Sequence, residues 1–350
     1  MKQRIDKLET NGFLPREELR CLLCDISAAD TEYLFARARA VRERVYGKAV
    51  WLRGLIEISS YCKNNCLYCG IRAGNAKAER YRLTPEEIHF CAKNGYALGF
   101  RTFVLQGGED PWFTDERLCA IVADLRKDYP DCAITLSMGE RSRRSYQALF
   151  NAGADRYLLR HETANAAHYA SLHPEEMRLS SRLKCLQHLK DIGYQVGCGF
   201  MVGSPGQDTD CLLDDLEFIH SFLPAMVGIG PFLPHKDTPF AKEAPGTLEM
   251  TLRLLAVLRL MQPNALLPAT TALGTVHPLG REKGLLAGAN IVMPNLSPVT
   301  VRRKYMLYDN KICTGEEAAE CRYCLQRRIE SVGYSIEVNR GDFIPPAEKG

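Results

Sequence analysis

Cys62, Cys66 and Cys69 fall within eight residues, in the run Tyr61-Cys62-Lys63-Asn64-Asn65-Cys66-Leu67-Tyr68-Cys69-Gly70. Thiolates this close together are soft ligands, suited to zinc or to an iron-sulfur cluster. A buried cysteine stripe on a helix is the plainer alternative, because free cysteine behaves as a small hydrophobe. Two adjacent asparagines and a following glycine argue against that helix. Structural zinc takes four ligands, and no nearby His or Cys supplies the fourth. Three thiolates leave one iron of a 4Fe-4S cubane without a protein ligand, open to a small chelating molecule. A second set, Cys313, Cys321 and Cys324, has C-x7-C-x2-C spacing. The capping box Thr314-Gly315-Glu316-Glu317 predicts a helix with Cys321 and Cys324 on one face. That set is either an accessory cluster site or a helix face docked on the fold. The other eight of the 14 cysteines, Cys21 and Cys24 included, read as packing residues. The histidines form no metal pattern.

The elements that must position these groups alternate. Strands are predicted near Val50–Ile58, Thr102–Gln106, Ala133–Ser137, Arg156–Arg160, Gln195–Met201, Met226–Gly230, Ala269–Ala272 and Asn290–Met293. Between them run helical patterns at about Glu116–Lys127, Ser180–Ile192, Asp210–Phe222 and Leu248–Met261, and Thr84-Pro85-Glu86-Glu87 opens another that buries Ile88, Cys91 and Ala92. Eight strands alternating with helices predict an α/β fold, a (β/α)8 TIM-type barrel. The expected organisation is a helical leader over 1–46, the barrel core over 47–299 and a cysteine-bearing C-terminal appendage over 300–350. The first cluster then follows the first strand, at the barrel end where such enzymes place their active sites.

Composition narrows the partners. Of 350 residues, 45 are Lys or Arg and 42 Asp or Glu, so the net charge of +3 offers no field of one sign for nucleic acid or a membrane surface. The sequence has no secretory signal pattern and no apolar run of the ~18 residues that span a bilayer. The expected compartment is the reducing cytoplasm, where thiols serve metals, catalysis or packing.

The C-x3-C-x2-C run with an aromatic before its third cysteine resembles the signature of the radical S-adenosylmethionine (SAM) superfamily. The resemblance implies that Cys62, Cys66 and Cys69 hold a 4Fe-4S cluster whose fourth iron is chelated by SAM, and that Tyr68 lies against the adenine. Gln106-Gly107-Gly108-Glu109-Asp110 resembles the family's Gly-Gly-Glu segment, so Gly107, Gly108 and Glu109 would receive the methionine ammonium. Glu162 matches a polar position that contacts the ribose or amino group. Arg182 matches an arginine paired with the SAM carboxylate, a geometry a guanidinium fork suits.

Longer stretches, among them Tyr157-Leu158-Leu159-Arg160-His161-Glu162-Thr163-Ala164-Asn165 and Met226-Val227-Gly228-Ile229-Gly230-Pro231-Phe232, resemble the HydE family of FeFe-hydrogenase maturases, relatives of biotin synthase and methylornithine synthase. The likeness runs from about residue 50 to 325. It implies reductive cleavage of SAM to a 5'-deoxyadenosyl radical that acts on a small organometallic iron complex bearing cysteine, carbon monoxide and cyanide. It also implies HydG and HydF as pathway partners, ferredoxin or flavodoxin as electron donor, and a 2Fe-2S or labile 4Fe-4S centre at Cys313, Cys321 and Cys324. An anionic substrate inside a barrel needs cations and donors. Arg53 and Arg160 are the expected cations, with Thr135, Ser137, Thr270, Thr271, Tyr305 and Tyr308 as hydroxyl donors. Cys132 and Cys198 fall off register for a biotin-synthase-type second cluster, and Thr stands at 270–271 where that enzyme has Arg, so sulfur insertion is not expected. A methylornithine-synthase-like mutase and a non-enzymatic iron-sulfur electron carrier are the alternatives.

Overall fold

The computed structural model describes residues 1–312 and 322–346, which leaves Cys313, Cys321 and the expected capping box at 314–317 outside the described residues. Three helices form the leader: α1 (Lys2–Asn11), α2 (Arg16–Cys24) and α3 (Ala28–Tyr46). Their apolar faces, including Leu8, Leu22 and Val41, join the main core. Among the described residues eleven strands follow: β1 (Ala49–Leu52), β2 (Gly54–Ser59), β3 (Thr102–Gly107), β4 (Ala133–Ser137), β5 (Arg156–Leu158), β6 (Gln195–Cys198), β7 (Met201–Val202), β8 (Met226–Val227), β9 (Gly230–Pro231), β10 (Ile291–Val292) and β11 (Ser335–Glu337). The intervening helices are α4 (Pro85–Ala97), α5 (Asp115–Asp128), α6 (Arg143–Asn151), α7 (Ala166–Leu172), α8 (Leu179–Ile192), α9 (Thr209–Phe222), α10 (Leu248–Met261), α11 (Thr271–Val276) and α12 (Gly280–Leu286). The described chain ends in α13 (Val299–Arg302), α14 (Arg322–Glu330) and β11.

Parallel pairing runs β2-β3-β4-β5-β6-β8. Bridges from Met226 to Leu266, from Pro268 to Ile291 and from Leu55 to Asn295 carry it around until the ring closes. The barrel therefore has eight staves, of which the first is β1 plus β2, the fifth β6 plus β7 and the sixth β8 plus β9. The seventh is only the bridged segment 266–268.

Three expected strands are broken, for identifiable reasons. The first breaks at Arg53 because β1 pairs with β10 and β11 whereas β2 pairs with β3. The fifth and sixth break side by side at Gly199 and Gly228. Gly199 adopts φ 153°, and a Cβ there would lie 2.0 Å from the Gly228 carbonyl oxygen, so only glycine lets the two bends touch. The strand expected at Ala269–Ala272 begins too late, since Thr270 already stands at the N-terminus of α11. Helix α4 forms with the expected capping box, Thr84 and Glu87 exchanging bonds of 2.8 and 3.2 Å, and it buries Ile88, Cys91 and Ala92.

The C-terminal segment crosses the N-terminal end of the barrel. Thr102 and Arg156 donate to the Arg340 carbonyl at 2.9 and 2.8 Å, Arg156 pairs with Asp342 at 2.7 Å, and Arg340 pairs with Asp155 at 2.8 Å. Trp51 Nε1 donates to Asn339 at 2.6 Å. The segment closes the barrel floor. Among the described residues, no helix is long and apolar enough to cross a membrane.

Candidate active site

The cysteine loop leaves the C-terminal end of β2 and is fixed by hydrogen bonds before any metal is considered. At its start, Ser59 donates to Asp110 at 2.6 Å, and Arg82 grips the same carboxylate with two bonds of 2.7 and 3.0 Å while its guanidinium lies over the Tyr61 ring. Lys63 N donates to the Glu109 carbonyl at 2.9 Å. Gly108 runs so close beneath the loop that a Cβ would come within 2.2 Å of the Tyr61 carbonyl oxygen and 2.8 Å of Cys62 Cβ. Further along, Asn65 Oδ1 accepts from Arg72 at 2.6 Å and from Gly74 N at 2.9 Å. Arg80 donates to the carbonyls of Ser60, Ile71, Arg72 and Asn75. Gly70 N donates to the Leu307 carbonyl at 2.9 Å, which brings segment 305–309 against the loop.

Cys62, Cys66 and Cys69 are free, partly covered thiols. Burial pushes the Cys69 thiol up to about 12, and raises Cys66 and Cys62 as well. Repulsion within the set adds to this: Cys62 and Cys69 raise Cys66, and Cys62 raises Cys69. Such a set holds its protons until a cation takes their place. Among the described residues, no three His, Cys, Asp or Glu converge on the position of a single metal ion. In a cubane each cysteine binds a different iron, so its ligands stand wider apart than in a mononuclear site.

Other residues singled out from the sequence gather at this end of the barrel. Tyr68 is held through its hydroxyl by His173 Nε2 at 3.3 Å, and Leu67 N donates to the Leu172 carbonyl at 2.9 Å. Glu162 lies just past β5, and its carboxylate adds to burial in raising Cys66, Cys69 and Tyr68. Arg160 Nη2 stands 3.1 Å from Glu162 Oε2, yet neither atom makes an aligned hydrogen bond. Arg182 binds Glu140 at 2.7 Å and the Arg160 carbonyl at 3.1 Å, so two sides of its fork are already engaged. Gly107 follows Gln106 at the end of β3, and Glu109 accepts from Glu140 N at 3.0 Å and pairs with Lys63 at 3.3 Å. Ser137 is in register with Gln106, which donates to the Tyr305 hydroxyl at 3.3 Å. Tyr308 belongs to the segment lying on the cysteine loop.

The structure separates other members of the expected set. Arg53 and Thr135 do face the interior, but at the barrel floor, where they border a cavity of about 10 Å³ together with Arg156. Burial, with the neighbouring Arg156 charge, pulls Arg53 well down, and two of its nitrogens and the Thr135 hydroxyl have no hydrogen-bond partner. Thr270 and Thr271 open α11 just after the seventh stave, the Thr270 hydroxyl likewise without a hydrogen bond. Cys324 is on α14, and its sequence partners lie outside the described residues.

Several residues at the site carry no local sequence signal. Lys311 reaches Glu57 at 2.5 Å and the Tyr305 carbonyl at 2.9 Å, while Asn295 donates to Glu57 at 2.8 Å. His161 and Asp215 form a second buried pair at 3.1 Å. Arg80 and Arg82, which fix the cysteine loop, stand in an ordinary-looking polar run. Most depend on partners distant in sequence, and Arg80 reaches back 5 to 20 residues into a loop without periodicity.

A thiol triad on the first βα loop of a closed barrel, above a Gly-Gly-Glu turn, defines a radical SAM enzyme, and the radical SAM superfamily profile matches residues 56–219. The chain belongs to the HydE family within it. It is 44% identical over 332 residues to the [FeFe] hydrogenase maturase subunit HydE of Thermotoga maritima, covering 95% of this chain and 94% of that relative. It is also 31% identical to the 3-methylornithine synthase of Methanosarcina barkeri, over 94% of this chain and 92% of that one. Among solved structures, a methylornithine synthase superposes with a TM-score of 0.83 at 29% identity, covering 95% of this chain and 97% of its own.

Family membership brings a 4Fe-4S cluster and SAM as cofactors, and the residues present fit them. The donor set is three thiols without a fourth protein ligand. Gly108 lets the turn after β3 press against the cysteine loop, where any side chain would strike Tyr61 and Cys62. Past β5, Glu162 Oε2 and Arg160 Nε and Nη2 are buried polar atoms without a hydrogen bond. Such groups call for a polar ligand.

Proposed function

We propose that this radical SAM enzyme takes part in assembling the diiron subcluster of FeFe-hydrogenase. Its substrate would be an iron complex bearing cysteine, carbon monoxide and cyanide, supplied by HydG, with HydF downstream and a ferredoxin or flavodoxin as electron donor. The observation that carries this reading is the 44% identity to a hydrogenase maturase along nearly the whole chain.

When bound, the cluster and SAM supply one-electron cleavage of the sulfonium, giving methionine and a 5'-deoxyadenosyl radical. The chain's own work is to bind, orient and exclude water. Cys62, Cys66 and Cys69 would hold three irons. The backbone of Gly107 and Gly108 with Glu109 would receive the SAM ammonium, Arg182 its carboxylate, Glu162 its ribose or amine, and Tyr68 its adenine. Segment 305–309, tied to Gly70, covers the loop from above. Arg160, Ser137, Tyr305 and Tyr308 supply the charge and donors that an anionic complex needs. Arg53 and Thr135 line the barrel floor, and Thr270 and Thr271 would offer hydroxyls just past the seventh stave. Cys313, Cys321 and Cys324 would carry the accessory centre.

Anaerobically reconstituted, reduced protein given SAM is expected to show a perturbed cluster EPR signal and to release 5'-deoxyadenosine. Adding the product of HydG should couple that cleavage to consumption of the iron complex. Turnover of lysine to 3-methylornithine instead would overturn the maturase reading, and indifference of the EPR signal to SAM would overturn the radical SAM assignment.

A further inference from the structure

Glu162 has φ 66°, and the other described non-glycine residues with positive φ are Leu223, which caps α9, and Asn310, a residue type that tolerates that region. A left-handed glutamate is strained and persists only where its surroundings enforce it. Its own backbone supplies part of the enforcement: Glu162 N donates to the Gly199 carbonyl at 3.0 Å and Met201 N to the Glu162 carbonyl at 3.1 Å.

The preceding residue supplies the rest. His161 is fully buried, with the rings of Phe200 and Phe218 beside it. Gly199 N donates to His161 Nδ1 at 3.3 Å, so the ring proton resides on Nε2, which donates to Asp215 Oδ1 at 3.1 Å. The same carboxylate oxygen accepts from Ala164 N at 2.6 Å. One imidazole thus joins the β5 loop, the bend of the fifth stave and helix α9. Burial, aided by Arg160 and Arg182, outweighs Glu162 and pushes the imidazole down to about 3, while burial raises the bonded Asp215 carboxyl. The imidazole stays neutral, and one tautomer persists across the physiological range.

We propose that His161 is a positioning residue: its bonds to Asp215 and Gly199 hold Glu162 in the left-handed conformation that turns its carboxylate toward the cysteine loop. This rests on the radical SAM reading of the site and goes beyond it by assigning a function to a residue that touches neither cofactor nor substrate.

The test is the variant pair H161N and H161Q, each in the natural background and in an E162A background. Asparagine is too short to reach Asp215, whereas glutamine keeps a donor near Nε2. Readouts are SAM affinity from the EPR titration of the reduced cluster, KM for SAM against kcat, and iron per chain. Expected are a tenfold or greater rise in KM for H161N with iron content retained and kcat within threefold, recovery to within threefold of wild type in H161Q, and less than a twofold further effect of H161N once Glu162 is alanine. A change in KM of the same factor in both backgrounds would overturn the proposal, because His161 would then act independently of Glu162. So would an H161N protein with unchanged SAM affinity, or an E162A protein that binds SAM normally. Wild-type protein that fails to cleave SAM would instead overturn the underlying reading, and one that cleaves SAM but ignores the iron complex would leave this proposal standing while removing the maturase role.

Discussion

At the scale of single residues, the thiols and the groups that immobilise them do separate work. Because Ser59, Asp110, Arg82 and Arg80 fix the loop independently of the cysteines, single C62A, C66A or C69A variants are expected to fold. Their Tm in the metal-free state should lie within a few degrees of wild type, while iron per chain falls and SAM cleavage drops below detection. A collapse of the fold in all three would show that metal, not the hydrogen bonds, shapes the loop. The Glu57-Lys311 pair behaves differently, since both side chains are almost wholly enclosed. Lys311→Met leaves a carboxylate buried beside Asn295 with no cation, which costs about 3–5 kcal/mol, whereas the double change E57Q/K311M should recover part of that loss. Urea unfolding of the three variants checks this. The two sites also differ in how readable they were. The triad shows itself because its members fall within eight residues, while Glu57 and Lys311 are 254 positions apart and neither stands in a pattern.

Elements tell a similar story one level up. Helices such as α4 and α10 were legible because capping and apolar spacing are local signals. The strands were legible in number but not in continuity. Breaks at Arg53 and Gly199 reflect how each stave shifts from one neighbour to the next, and that geometry exists only once the ring closes. The loop after β2 lacks any periodicity, so its clamp had to be seen in three dimensions. Arg80 satisfies four carbonyls between Ser60 and Asn75, and no shorter or neutral side chain can replace that fan of donors. Arg80→Ala is therefore expected to loosen the loop without unfolding the barrel. Reconstituted protein should lose at least half its iron on gel filtration, with a fall in Tm of only about 2–4 °C per kcal/mol removed. Full retention of iron would mean that Asn65 and Gly108 suffice to hold the loop.

For the whole molecule, the two ends of the barrel are closed by different parts of the same C-terminal stretch. Segment 305–309 lies on the cysteine loop at one end, and Arg340 to Asp342 crosses the floor at the other. The sequence showed an appendage but not where it packs, because its contacts with Thr102, Asp155 and Arg156 are all long-range. Asp342 is the electrostatic centre of that closure. Burial opposes its charge, but Arg340 and Arg156 outweigh it and hold the carboxyl down at about 2 against an ordinary 3.8. A carboxyl depressed on folding stabilises the native state fully above its unfolded pKa, and the contribution fades as pH falls through the folded one. The shift corresponds to at most about 2.5 kcal/mol, and solvent screening of a side chain that is 40% exposed reduces it to about 1 kcal/mol. Asp342→Asn is thus expected to be about 1 kcal/mol less stable than wild type at pH 7. The gap should stay constant down to about pH 4.5 and narrow below pH 3.8, as Asp342 of the unfolded wild-type chain begins to take up its proton while the native carboxyl stays charged. Urea titrations at pH 7, 5, 4 and 3 measure it, and a gap that instead grew toward low pH would mean that Asp342 does not hold the barrel floor by its charge.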